Sequence, residues 1–241
     1  MAIKVDLEFW ARDADKAVKR GDIIIMIDVL RSGTSILNAF ANGAKTLIPV
    51  ASLKEACGLR RQNPEYVLAG ERGGYKPKGF DLGNSPAEFT PEMVSGKSLV
   101  MTTTSGTSAL VRSQRAKWVL IGAFLNARAT AGEAEEIATR ERVGVSFVLA
   151  GDEGRFSLED FLCAGGIAER FTEEKVCFSD KAEAAFLSFK QVEKDLCESL
   201  KKTEHAKHLM TLGLKRDIDF SCQLDTLRIV PVCMHGILTL R

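Results

Sequence analysis

The most informative segment of the chain is Ile23-Ile-Ile-Met-Ile27, which runs directly into Asp28-Val-Leu-Arg-Ser-Gly-Thr-Ser35. Five consecutive apolar residues are typical of a strand that is covered on both faces, as in a sheet between two layers of helices. The polar residues that follow, with one glycine among them, predict a tight turn into a helix. The segment therefore predicts a strand–turn–helix unit of an α/β protein.

On both sides of this unit, strand-like and helix-like segments alternate through the first two thirds of the chain. The predicted strands are Ile3–Phe9, Asp22–Val29, Thr46–Val50, Tyr66–Gly70, Ser98–Thr103, Trp118–Gly122 and Val145–Ala150. The predicted helices are Ala14–Arg20, Thr34–Ala41, Leu53–Arg61, Gly106–Arg115, Arg128–Arg142 and Ser157–Glu169. This order predicts a three-layer α/β fold with a largely parallel or mixed sheet.

The pattern changes after Phe171. We expect an α/β core over residues 1–171, and a helical and β lobe, or an extension of the same sheet, over residues 172–241. Ala182–Thr211 is charged and carries apolar residues at three- and four-residue steps, which predicts an amphipathic helix. Pro231 is expected to interrupt the tail, because proline cannot donate a hydrogen bond within a sheet. The two predicted tail strands are Leu227–Val232 and Ile237–Leu240.

Composition and charge exclude several classes of protein. The 241 residues are 45% hydrophobic and 27% charged, which excludes a disordered chain. Lys and Arg number 33 against 32 Asp and Glu, so no overall field recruits nucleic acid or an anionic membrane. No apolar run approaches the ~20 residues of a membrane span, and Lys4, Asp6 and Glu8 lie where a signal peptide would be apolar. We expect a cytoplasmic protein with no nucleic-acid or membrane partner.

The cysteines and histidines suggest no zinc site. The six cysteines are scattered without a C-x-x-C pair, which favours reduced thiols over disulfides or a metal site. His205 and His208 are three residues apart and share a helix face, but Lys201, Lys202 and Glu204 nearby predict a solvated helix.

The turn after the Ile23–Ile27 run has the features of an anion site. Backbone N–H groups at the start of a helix attract anions, and the planar guanidinium of Arg31 suits a phosphate or carboxylate. Asp28, at the end of the strand, is a candidate nucleophile or metal ligand. The alternative is that Asp28 and Ser32 only cap the helix. The candidate anion-binding residues of the turn are Ser32, Gly33, Thr34 and Ser35.

A long loop from Glu71 to Pro86 follows the predicted strand Tyr66–Gly70. Its four glycines and two prolines favour a shaped functional loop over a solvated surface loop. It also has a local positive charge that the whole chain lacks. The candidate substrate ligands in this loop are Arg72, Lys76, Asn84 and Ser85, and the candidate metal ligands are Glu71 and Asp81.

Two further strand ends carry polar residues. Hydroxyls and a glycine after Ser98–Thr103 form a second candidate anion site, although capping of the next helix explains them equally well. After Val145–Ala150, Asp152 is a candidate metal ligand. Ser157 with Asp160 resembles a capping box in which Asp replaces Glu, and we expect Asp160 to face the same cleft. The candidate anion ligands in the turn after Ser98–Thr103 are Thr103, Thr104, Ser105, Gly106 and Thr107.

These residues share one predicted location. Ligands of open α/β sheets bind beyond the carboxyl ends of the strands, where these turns lie. Carboxylates without His or Cys favour Mg²⁺ or Mn²⁺ over zinc, and such an ion beside anion sites indicates phosphoryl chemistry. The carboxylates at these strand ends are Asp28, Glu71, Asp81, Asp152 and Asp160.

Four motifs resemble the 2-phosphosulfolactate phosphatase (ComB-like) family. They are Asp28-Val-Leu-Arg31, Gly79-Phe-Asp-Leu-Gly-Asn-Ser-Pro86, Thr102-Thr-Thr-Ser-Gly-Thr107 and Glu159-Asp-Phe-Leu-Cys-Ala-Gly165. The resemblance implies an α/β fold peculiar to the family and a Mg²⁺-dependent acid phosphatase. The implied reaction converts 2-phospho-3-sulfolactate and water to 3-sulfolactate and phosphate, a step of coenzyme M biosynthesis. At Ser105 the family has asparagine.

On this hypothesis the catalytic residues are Asp28, Arg31 and Asp160. The phosphate binds Arg31 and the Ser32–Ser35 turn, and the sulfonate or carboxylate meets Arg72, Lys76 or the Thr102–Thr107 turn. The nucleophile stays open between a metal-oriented water and Asp28 itself. The alternatives are another small phosphorylated 2-hydroxy acid as substrate, or a non-catalytic sensor of an anionic metabolite. A homodimer is expected only because it is common among soluble enzymes.

Overall fold

The computed structural model describes residues 2–172 and 176–241, and in this part of the chain a single mixed sheet has helices on both faces. The strands are β1 Ile3–Glu8, β2 Ile23–Ile27, β3 Thr46–Pro49, β4 Val67–Gly70, β5 Ser98–Thr102, β6 Val119–Gly122, β7 Val145–Leu149, β8 Val176–Phe178, β9 Pro231–Met234 and β10 Ile237–Leu240. The helices are α1 Ala14–Arg20, α2 Ser32–Ala41, α3 Leu53–Gln62, α4 Pro91–Val94, α5 Gly106–Ser113, α6 Ala127–Glu141, α7 Leu158–Ala168, α8 Asp180–Val192, α9 Leu196–Leu200, α10 Glu204–Thr211 and α11 Lys215–Ser221. The predicted three-layer α/β fold is confirmed.

The strand order is β4-β5-β3-β10-β9-β6-β2-β7-β1-β8. Two parallel groups, β4-β5-β3 and β6-β2-β7-β1-β8, are joined by the antiparallel hairpin β9–β10. The two groups therefore run in opposite senses along the sheet. Residues that follow β4 and β5 nevertheless line one pocket together with residues that follow β2 and β7.

The core shows why β2 is apolar throughout. All five of its side chains are buried, and they alternate between two clusters because successive strand residues point to opposite faces. Ile23, Ile25 and Ile27 pack in the cluster that contains α6, α7 and α8 residues. Ile24 and Met26 pack in the cluster that contains α2 and α5 residues. The continuous apolar run is thus the signature of a central strand.

The C-terminal third differs from the prediction in several places. The continuous helix expected over Ala182–Thr211 is wrong: the chain forms α8, α9 and α10 instead, and the Thr203 hydroxyl accepts the Ala206 N–H to start α10. The strand expected at Leu227–Val232 is also wrong in its first part. It begins at Pro231, because the first position of a strand tolerates proline. The elements β8, α4 and α11 were not predicted.

Across residues 2–172 and 176–241, no helix is long and apolar enough to cross a membrane. All six cysteines are free thiols, as the scattered spacing predicts.

Candidate active site

A small pocket lies where the turns after β2, β4, β5 and β7 meet α10, and its cavity volume is about 60 Å³. A cavity of this size holds several water molecules, which suits a small polar group. The lining residues are Asp28, Leu30, Arg31, Ser32, Glu71, Gly73, Gly74, Asn84, Thr103, Thr104, Ser105, Gly151, Asp152, Glu153, His205, His208 and Leu209. Nine of the residues that the sequence singled out therefore come together.

Asp28 is buried at the base of this pocket, directly after β2. One carboxylate oxygen, Oδ1, accepts the Ser32 N–H at 3.2 Å, and its backbone carbonyl accepts the Gly33 N–H at 2.8 Å. Burial raises the pKa of Asp28 to about 6, although the positive charge of His205 and hydrogen bonds from Ser32 oppose the shift. Asp28 thus caps α2 while remaining in contact with the pocket.

The predicted phosphate site at the start of α2 is largely occupied by the protein itself. Two of its N–H groups bind Asp28, as described. The Thr34 hydroxyl donates to the Val29 carbonyl at 2.8 Å, and the Ser35 hydroxyl donates to the Asn84 carbonyl at 2.8 Å. Buried donors need acceptors, so these groups stabilise the turn. The structure does not bring Gly33, Thr34 or Ser35 to the pocket.

The hydroxyls after β5 form a closed network. The Ser32 hydroxyl donates to Oγ1 of Thr103 at 3.0 Å, and that oxygen also accepts the Thr107 N–H at 3.1 Å. The Thr103 N–H donates in return to Oγ1 of Thr107 at 2.9 Å. Gly106 and Thr107 therefore lie behind the pocket, where they hold the turn against Asp28.

Glu71 ties two loops together at the pocket wall. Its Oε1 accepts the Thr104 N–H at 2.7 Å and its Oε2 accepts the Gly74 N–H at 2.9 Å. On the adjacent turn, Oγ of Ser105 accepts the Glu153 N–H at 3.2 Å, which leaves the Ser105 hydroxyl proton for a ligand.

The other charged residues of the Glu71–Pro86 loop do not reach the pocket. Arg72 donates to the backbone and hydroxyl oxygens of Thr102, and Lys76 is exposed. The carboxylate of Asp81 pairs with Arg60 and accepts the Leu68 N–H. The structure therefore separates Asp81 from the other three candidate metal ligands.

Arg31 has a partner that the motifs did not reveal. Its Nη1 lies 2.9 Å from Oδ2 of Asp217 on α11, and both side chains are almost fully buried. The Ser85 hydroxyl donates to the other Asp217 oxygen at 2.6 Å. Ser85 thus acts on Arg31 through Asp217 and does not line the pocket. A lone aspartate in the C-terminal third carries no sequence signal for this role.

Asp160 lies beneath the pocket rather than in its wall. Its Oδ1 accepts the Val29 N–H at 2.8 Å and its Oδ2 accepts the Gly151 N–H at 3.1 Å, so it joins two of the loops. Burial, together with the charge of Asp28, raises its pKa well above the usual range. Its N–H donates to the Ser157 hydroxyl, which confirms the predicted cap of α7. At this position Asp160 stabilises the loops, so its predicted catalytic role is wrong.

His205 is a site residue that the motif analysis missed. The flanking charges predict a solvated helix for His205 and His208, yet both line the pocket. Nδ1 of His205 lies 3.1 Å from Oε1 of Glu159, whose side chain is buried on α7. The only available signal was the spacing of two histidines on one helix face.

The pocket has the donors for a hard cation but no dense cluster. Among the described residues, no three His, Cys, Asp or Glu side chains are grouped closely enough to hold a metal ion. Mg²⁺ nevertheless needs only one or two carboxylates, because waters and a substrate phosphate complete its shell. Asp28, Glu71 and Asp152 line the pocket, and the buried Oδ1 of Asn84 has no hydrogen-bond partner within residues 2–172 and 176–241. The oxygen donors present therefore fit Mg²⁺.

A polar pocket at the strand ends of an α/β sheet defines a class of enzymes that act on small molecules. The family model described as 2-phosphosulpholactate phosphatase matches residues 10–236. A protein of Thermotoga petrophila named "Probable 2-phosphosulfolactate phosphatase" is 40% identical over 217 residues, which are 90% of this chain and 91% of that relative. One of Clostridium acetobutylicum with the same name is 36% identical over 237 residues, 97% of this chain and 99% of the relative.

The chain belongs to the 2-phosphosulpholactate phosphatase family, whose name denotes a phosphomonoester hydrolase. The resemblance drawn from the four motifs is confirmed.

Proposed function

We propose that this protein hydrolyses 2-phospho-3-sulfolactate to 3-sulfolactate and phosphate with the help of Mg²⁺, a reaction of the coenzyme M biosynthesis type. The observation that carries the proposal is the meeting of Asp28, Glu71, Asp152 and the unpartnered Oδ1 of Asn84 in one small pocket. Three carboxylates line the pocket against the single guanidinium of Arg31, so a bound cation would reduce their repulsion of an anionic substrate. The family and the names of the relatives supply the substrate.

The side chains that line the pocket have different proposed roles, according to where they lie. Asp28, Glu71, Asp152 and Asn84 would hold the ion, which when bound neutralises charge on the phosphoryl oxygens. Arg31 adds a fixed positive charge, because Asp217 holds its guanidinium in place. The hydroxyls of Thr104 and Ser105 offer hydrogen bonds to the anionic groups of the substrate. Asp28 also remains a candidate nucleophile.

The test is phosphate release from a panel of small phosphomonoesters, with and without Mg²⁺. We expect 2-phospho-3-sulfolactate to be the preferred substrate, and chelation of the metal to abolish turnover. Asp28→Asn should also abolish turnover by either route. Asp81→Asn is the matched control, since the same change lies outside the pocket and should leave most activity.

Two outcomes would contradict the proposal. Preference for another phosphorylated 2-hydroxy acid would change the substrate and keep the chemistry. Tight binding of the anion without phosphate release, unaffected by Mg²⁺, would instead identify a sensor. The expected cytoplasmic location and homodimer stay predictions, and cell fractionation and the mass in solution would test them.

A further inference from the structure

His205 on α10 lines the pocket, and Glu159 on α7 is its buried partner. Glu159 is 1% exposed, and its Oε1 lies 3.1 Å from Nδ1 of His205. Within the described residues Nε2 of His205 makes no hydrogen bond, so this nitrogen is left for a ligand in the pocket. A buried carboxylate that orients one imidazole nitrogen is the arrangement that positions the other for proton transfer.

The charges around His205 come from three loops and its own helix. Burial lowers the pKa of His205, but Glu159 on α7, Asp152 after β7 and Asp28 after β2 together raise it above the usual value. Arg155, Lys202 and Glu204 line the adjoining cavity, and the exposed His208 lines the same pocket. The hydrogen bond and the charge of Glu159, which is not among the residues proposed to hold the ion, favour the imidazolium form relative to an isolated histidine.

We propose that His205 donates a proton from Nε2 to the ester oxygen of the substrate as the phosphorus–oxygen bond breaks. The inference rests on the proposed phosphatase function and names a catalytic residue for it. An alkyl alkoxide is a poor leaving group, and a positioned acid makes its departure faster by about 10²–10⁴-fold. Glu159 is the positioning residue that holds the ring.

The step balances by either route to the product. The ester P–O bond breaks, the alkoxide takes the proton of His205 and becomes the alcohol, and imidazole is left neutral. In the direct route water forms the new P–O bond as the ester bond breaks. In the covalent route an oxygen of Asp28 forms a bond to the phosphorus as the ester bond breaks, and water then displaces Asp28 as a free carboxylate. The proton released from the water restores the imidazolium, so no other reactant is consumed.

The other groups of the pocket are less suited to this task. The guanidinium of Arg31 is a permanent cation that donates hydrogen bonds but transfers no proton. Asp28 is needed in its ionised form, whether it holds the ion or attacks the phosphorus. His208 has no hydrogen-bond partner among the described residues that would orient its ring.

The first experiment compares two leaving groups. His205→Asn should lower kcat by about 10²–10⁴-fold on 2-phospho-3-sulfolactate, but by less than about tenfold on acetyl phosphate, whose acetate leaves without a proton. His235→Asn is the matched control, because His235 is exposed in the β9–β10 turn, outside the pocket. Equal losses on both substrates, or no loss on either, would overturn the proposal.

The second experiment uses the pH profile of kcat/KM. Glu159→Gln removes a charge that raises the pKa of His205, so the alkaline limb should move to lower pH. In His205→Asn that limb should disappear, whereas a merely structural role would leave it in place. If the unaltered protein releases no phosphate from 2-phospho-3-sulfolactate, the proposed function fails. If it does and His205→Asn matches its rate, only the role of His205 fails.

Discussion

Gly106 lies so close to Asp28 that a Cβ atom on the glycine would be 2.3 Å from Oδ2 of the carboxylate. The same Cβ would also be 2.6 Å from Cβ of Ser32. The backbone after β5 is therefore pressed against the carboxylate that follows β2. This contact joins the two parallel strand groups of the sheet at the pocket, and only glycine permits it.

Gly106→Ala is expected to displace Asp28. Overpacking of this kind costs about 1–3 kcal/mol of stability, and a shift of ~1 Å in a catalytic group can lower the rate about 10²-fold. Phosphate release and urea unfolding measure the two effects. Gly132→Ala is the matched control: its Cβ meets nothing within 4 Å, and alanine should stabilise α6 by about 0.5–1 kcal/mol. Unchanged activity in Gly106→Ala would contradict the proposed role of Asp28.

Asp217→Asn is expected to destabilise the protein by about 3–5 kcal/mol, because it leaves the buried charge of Arg31 without its partner. Urea unfolding measures this cost. Glu141→Gln provides the comparison, since its solvent-exposed pair with Lys117 should change the stability little. The double variant Arg31→Met, Asp217→Leu should recover stability but not phosphate release. Recovered activity would show that the Arg31 charge is dispensable.

Asn84→Ala is expected to weaken the binding of the ion or the substrate without lowering the free energy of unfolding. The buried Oδ1 of Asn84 has no partner, so its removal should not lower the free energy of unfolding. If this oxygen meets the ion or the substrate, binding should weaken by about tenfold, equivalent to about 1.4 kcal/mol. Ser221→Ala is the control, because Oγ of Ser221 is likewise buried and unpartnered but lies outside the pocket. Binding is measured by Mg²⁺ titration and by KM.

The metal-free protein is expected to lose stability as the pH rises. The pKa of Asp28 is about 6 in the folded state against an ordinary 3.8, so its contribution is fully present below pH ~4 and is lost as the pH passes about 6. The difference corresponds to about 3 kcal/mol. Asp28→Asn should therefore gain stability relative to the unaltered protein between pH 4 and 7.5 in urea unfolding. Parallel pH profiles would contradict this, and added Mg²⁺ should reduce the loss.

Local patterns were sufficient for most of the fold. The apolar run Ile23–Ile27 predicted a central strand because a strand covered on both faces needs apolar side chains at every position. The helix of Ala182–Thr211 was mispredicted because amphipathic periodicity does not show where a cap such as Thr203 starts a new helix. The opposite directions of the two parallel strand groups could not be predicted either. They result from the hairpin β9–β10, which pairs with β3 and β6, strands that are far away in the chain.

The α/β class, the turns that carry the chemistry and the family could all be read from local sequence patterns. Which of those polar groups face the pocket depends on the packing of distant segments. Thr34, Ser35 and Asp160 satisfy buried donors and acceptors close by, and Asp81 pairs with Arg60, so none of them reaches it. His205 and Asp217 enter the site from the C-terminal third, because long-range packing brings α10 and α11 against the strand ends. Motif spacing reports local hydrogen-bonding needs, whereas a catalytic pocket depends on which distant groups the core brings together.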